Sequence, residues 1–142
     1  MDPSPLVTDE IDAGAEFLQR LHASRPVTAA CWLREADDEE RYLYAAIDGL
    51  TVDNSGAAYV EVLRIANAMK DHYIDPFRVK LIGPDHPVAR AVRDVYLRYP
   101  GRIPTRFPGR VFAGGTAAEV YIYPPVGGPA PADVPAGSWP SP

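Results

Sequence analysis

The chain has 142 residues, of which 46% are hydrophobic and 23% charged, and a formal net charge of −5. These proportions suit one globular domain with a core of its own and exclude a wholly disordered chain. Cys31 is the only cysteine, which rules out an internal disulfide, and no apolar run approaches the roughly 18 residues needed to cross a bilayer.

The start, Met1-Asp2-Pro3-Ser4-Pro5, lacks the basic-then-apolar pattern of a secretory leader, so the expected address is the cytoplasm, without membrane association. Residues 1–7 read as a short flexible lead. Residues 8–24 then predict a helix, with Ile11, Ala15, Leu18 and Leu21 stacked on one face. Thr8 or Asp9 suits its start, and Arg25-Pro26 ends it. Residues 27–35 alternate as a strand, Val27, Ala29, Cys31 and Leu33 to one side and Thr28, Ala30, Trp32 and Arg34 to the other. An acidic turn, Asp37-Asp38-Glu39-Glu40, joins it to a second strand over 41–47, which makes a β-hairpin.

A second helix is expected to start between Asp53 and Ser55 and to run to about His72, with Tyr59, Val62, Leu63, Ala66 and Met69 or Lys70 at helical spacing. Residues 77–82 follow Asp75-Pro76 as a short strand. The third helix carries the clearest pattern: Val88, Ala91, Val92, Val95, Tyr96 and Tyr99 share one face, Pro87 sits in the first turn, and Asp85 or His86 can cap it. Residues 110–113 and 119–123 read as strands around a turn at Gly114-Gly115-Thr116. Residues 125–142 are a Pro/Gly-rich tail expected to be disordered.

The predicted order is thus α-β-β-α-β-α-β-β, an α/β or α+β single domain over residues 8–124. Its hairpins require antiparallel pairing and its strand–helix–strand units favour parallel pairing. A mixed sheet of about five strands with three helices on one or both faces satisfies both requirements.

Local motifs for chemistry are absent. His22, His72, His86 and Cys31 show no metal-ligand spacing, and no Gly-x-Ser-x-Gly turn or phosphate-binding glycine loop occurs. Phe77-Arg78-Val79-Lys80 places arginine where a metal-dependent nuclease strand needs a carboxylate. Cys31, among alanines in a strand, reads as a small buried hydrophobe. No catalytic residue, metal ligand or cofactor is assigned.

Charge is split along the chain: residues 1–75 carry a net −9 and residues 76–142 a net +4. Twelve arginines against two lysines, with abundant Ala, Gly and Pro, point to a GC-rich bacterial genome. Arg90, Arg93, Arg98, Arg102, Arg106 and Arg110, with Tyr99 and Phe107, form the candidate binding set, since guanidinium forks grip phosphate or carboxylate and aromatic rings stack on bases. Three functional readings follow. The first is a non-catalytic binding or adaptor module of a bacterial cytoplasmic assembly, acting on a protein partner or a second copy. The second is nucleic-acid binding through the Arg-rich segment 78–110, against which the acidic pI of 5.1 counts. The third is a small hydrolase or metal-dependent enzyme with its site near Asp85 and His86.

Overall fold

Helix α1 (Thr8–Ser24) begins with Asp9 and Glu10 in its first turn, where carboxylates meet the positive end of the helix dipole. Its buried face is Ala13, Gly14, Phe17, Leu18 and Leu21. Phe17 thus lies at the centre of the contact, while Ile11 and Ala15, expected within the stripe, lie half-buried at its margin. The chain then forms the hairpin of β1 (Val27–Glu35) and β2 (Tyr42–Ile47), helix α2 (Val52–Met69), a 3-10 turn at Pro76–Arg78, β3 (Val79–Ile82), α3 (Pro87–Arg98), and the hairpin of β4 (Arg110–Phe112) and β5 (Gly115–Ile122). This computed structural model describes residues 8–98 and 110–126; the predicted lead, the tail beyond residue 126, and Tyr99, Arg102, Arg106 and Phe107 lie outside the described residues.

The strands form one mixed sheet in the order β3-β2-β1-β5-β4. Four of them, β3-β2-β1-β5, make its body, and the three-residue β4 extends one edge. The β2–β3 pair is parallel and the others antiparallel, as a fold mixing hairpins with one strand–helix–strand crossover requires. Helices cover both faces, α1 and α2 on one and α3 on the other, and each face has its own apolar cluster.

Several local details depart from the sequence pattern, each for a physical reason. A register shift between Val27 and Ala29 puts Val27 on the α1/α2 face with Ala30 and Trp32, whereas Ala29, Cys31 and Leu33 face α3. A bulge of this kind breaks strict alternation, so Val27 falls on the side opposite to the one its parity predicts. Helix α2 starts earlier than Asp53, because Thr51 and Asn54 form a reciprocal capping box: Asn54 N–H donates to Thr51 Oγ1 at 3.2 Å and Thr51 N–H to Asn54 Oδ1 at 2.8 Å. It stops before His72, since Lys70 turns into the left-handed region at φ 53°. Phe77 and Arg78 belong to the 3-10 turn and not to β3, because Asp75 Oδ1 accepts from Phe77 N–H at 2.9 Å and Pro76 starts the turn. Ala113 (φ 56°) and Gly114 (φ 86°) form a two-residue hairpin turn, so β5 begins at Gly115 and not at residue 119.

Gly14 marks where α1 comes closest to the sheet. A Cβ there would lie 2.2 Å from Tyr123 Oη, so no larger residue fits without displacing a pinned ring. That hydroxyl accepts from Trp32 Nε1 at 2.8 Å and donates to the Ile11 carbonyl at 2.7 Å, joining β1, α1 and the end of β5. On the opposite face Tyr96 of α3 donates to the Tyr123 carbonyl at 2.6 Å. Burial pushes the Tyr123 and Tyr96 phenols well above the ordinary tyrosine range. A raised folded-state value means that their contribution to stability is complete below the unfolded value of about 10 and is lost as the pH climbs beyond it. In an alkaline titration followed by tyrosinate absorbance, these two of the eight tyrosines are expected to ionise only as the chain unfolds. Ionisation of all eight in the folded chain would contradict the burial.

Candidate protein-binding face

Helix α2 is apolar around more of its circumference than one buried stripe requires. Its inner face, Ala58, Val62, Ile65 and Ala66, is buried against the sheet and α1. The outer face carries Val52 (93% exposed), Tyr59 (37%), Val60 (64%) and Leu63 (42%). Val52, Gly56, Tyr59, Val60 and Leu63 fall at i, i+4, i+7, i+8 and i+11, one line of neighbours along the helix. Tyr59 and Leu63, grouped by spacing with Val62 and Ala66, therefore belong to a different face from those two. The signal was present in the sequence: the apolar residues of α2 span more than the arc that one buried face accounts for.

The stripe runs beside the sheet edge. β3 is an edge strand, and its Leu81 N–H donates to Tyr59 Oη at 3.0 Å. The phenol satisfies an edge amide that strand addition would otherwise use, and Lys80 on the same strand is exposed, a second device against edge pairing. Phe77 is 86% exposed in the 3-10 turn, an element in contact with α2.

Of the candidate arginines among the described residues, three lie on α3 and Arg110 lies in β4. Arg93 donates to the Pro84 carbonyl at 2.6 Å, and Arg98 pairs with Asp94 at 3.1 Å one turn back on α3. Arg90 is exposed on the outer side of α3. Arg78, at the start of the basic segment, reaches Glu40 of the acidic turn at 3.1 Å and Asp75 at 3.7 Å. Arg110 is placed by its backbone in β4, opposite Ala117. Lys80 lies 4.1 Å above the Tyr42 ring, a cation–π contact. The two oppositely charged halves of the sequence thus meet at Arg78 and Glu40.

Near the third predicted site, His86 and not Asp85 caps α3: its Nδ1 accepts from Val88 N–H at 3.1 Å. A cleft of ≈ 370 Å³ lies beside it, and Glu35 and His86 line it together with Leu33, Tyr44, Val88 and Phe112. Among the described residues, no three His, Cys, Asp or Glu side chains converge as a metal site.

A second polar cleft of ≈ 450 Å³ surrounds Arg41, Trp32, His72 and Tyr73. Its centre is an ion network. Arg41 Nη2 meets Glu10 at 3.1 Å and its Nη1 meets Glu119 at 3.1 Å, with all three side chains largely buried. The guanidinium ties α1 to the start of β2 and to β5. Both its terminal nitrogens face carboxylates of the chain itself, which makes the cluster structural.

None of the helices among the described residues is long and apolar enough to cross a membrane. Set against known proteins, the chain matches no family model, no curated protein and no solved structure.

Proposed function

We propose that this chain is a non-catalytic binding module that acts through protein–protein contact on the outer face of α2. One observation carries the reading: four large apolar side chains line an exposed strip of α2 beside the face that supplies the core. Single exposed apolar residues are ordinary, but an aligned set on one helix costs solubility unless something covers it. The interacting surface is helical, because Tyr59 blocks the adjacent strand edge from pairing.

The test uses Val60→Asp/Leu63→Asp, which are expected to lower stability by only about 1–2 kcal/mol and leave the chain folded, as circular dichroism verifies. The full chain and the double variant serve as baits in extracts of the native host, and each chain's self-association is read by light scattering. A specific partner or oligomer retained by the parent and lost by the variant is the expected result. Equal behaviour of both chains in every association would overturn the reading.

A further inference from the structure

From the same face, and resting on the reading just given, we infer that the occupant of the α2 stripe is a second copy of this chain, bound antiparallel about a two-fold axis between Gly56 and Val60.

Gly56 is the first ground. It lies within a regular helix, its φ is not left-handed, and a Cβ built on it would meet nothing within 4 Å. Nothing in the single chain therefore requires glycine there, although glycine is the least favourable helix residue after proline. Between Val52 and Val60 on the same line, its missing side chain leaves a shallow notch where a second helix can approach closely. Gly14 is the instructive contrast, since its Cβ position is filled by Tyr123 of the same chain.

The second ground is the charge pattern along the stripe. Asp53 at the N-terminal end and Arg64 at the C-terminal end are eleven residues apart, so they lie on one line of the helix. Both are exposed, and Arg64 pairs with Glu61 in its own chain. Asp53 and Arg64 lie to one side of the Gly56/Val60 line and Val52 and Leu63 to the other, so a parallel copy would set the charged flank of each helix against the apolar flank of its partner. An antiparallel copy centred between Gly56 and Val60 sets Asp53 of each chain opposite Arg64 of the other, Val52 opposite Leu63, and the two helix dipoles in opposition. The pattern is self-complementary in that arrangement and mismatched in the other, which favours a second copy over an unrelated helix.

Sedimentation equilibrium of the full chain measures the association, and three substitutions test its geometry. Self-association lost in Val60→Asp/Leu63→Asp is expected. Gly56→Ala should raise the melting temperature of the monomer, as replacement of an exposed mid-helix glycine does, yet weaken dimerisation by about tenfold because the added methyl fills the notch. Cys31 is buried, so a cysteine introduced on the stripe can be linked selectively by a short bifunctional thiol reagent. Val60→Cys, near the axis, should link to itself. Val52→Cys and Leu63→Cys should link to each other in a mixed sample but poorly to themselves, since like positions at the ends lie about 15–18 Å apart along antiparallel helices. Self-linking at all three positions would overturn the antiparallel arrangement. A chain that stays monomeric at every concentration, while a host partner is lost with Val60→Asp/Leu63→Asp, would overturn the second copy and leave the binding face standing. A monomer whose associations are indifferent to those substitutions would remove both.

Discussion

Replacing Phe17 by alanine is expected to destabilise the chain by about 3–5 kcal/mol, the range for removing a fully buried aromatic side chain. Phe17 has no exposed surface and sits where α1 meets the sheet, among Leu18, Leu21 and Trp32. The loss has two parts: the transfer free energy of the ring, and the cavity that remains because neighbours collapse into it incompletely. Typical domains have a total stability of about 5–15 kcal/mol, so the variant could be largely unfolded at physiological temperature. Phe17→Leu keeps most of the volume and is expected to lose less than about 1.5 kcal/mol, which keeps the comparison measurable. Urea unfolding followed by both circular dichroism and Trp fluorescence reads the two values. A loss below about 1 kcal/mol for the alanine variant would mean that α1 is not seated on this face through Phe17.

Arg41→Ala should rank next, at about 2–4 kcal/mol, because it strips the shared cation from two carboxylates held out of water. Glu10 and Glu119 are 18% and 14% exposed as side chains, so water can compensate them in part but not fully. The effect belongs mostly to the abandoned carboxylates and less to the attraction that is lost. A triple variant, Arg41→Met with Glu10→Gln and Glu119→Gln, removes cation and anions together and should recover most of the stability. Equal losses in the single and triple variants would point to packing of the arginine stem rather than to charge. A loss near zero for Arg41→Ala would place the network in solvent.

These two results bear on function through the charge split along the chain. Its simplest functional interpretation was an arginine surface awaiting an anion. Among the described residues, Arg93 and Arg98 have a carbonyl and an aspartate as partners, and Arg78 has Glu40 and Asp75. The acidic turn and the basic segment lie far apart in sequence, so no local pattern could reveal that the sheet brings them together. Among the described residues, the outer line of α2 is exposed, aligned and apolar.

Sequence by itself determined the helices, the first hairpin and the order of elements. Helical spacing, Pro87 at a first turn and the acidic turn after residue 35 are local signals, and local signals survive without a tertiary context. It also determined that Cys31 is a buried hydrophobe, since an apolar strand leaves a thiol nowhere else to go. Tertiary structure alone decided which side of each element meets the core. The register shift after Val27 reversed the side of that residue, and Phe17 displaced Ile11 from the centre of α1's contact. On α2 the sheet and α1 bury Val62 and Ala66, while Tyr59 reaches the sheet edge only with its hydroxyl and Leu63 stays partly exposed, a choice that spacing cannot make when apolar residues surround most of a helix. The candidate binding face exists because of that choice: one helix has more apolar surface than a single neighbouring layer can cover.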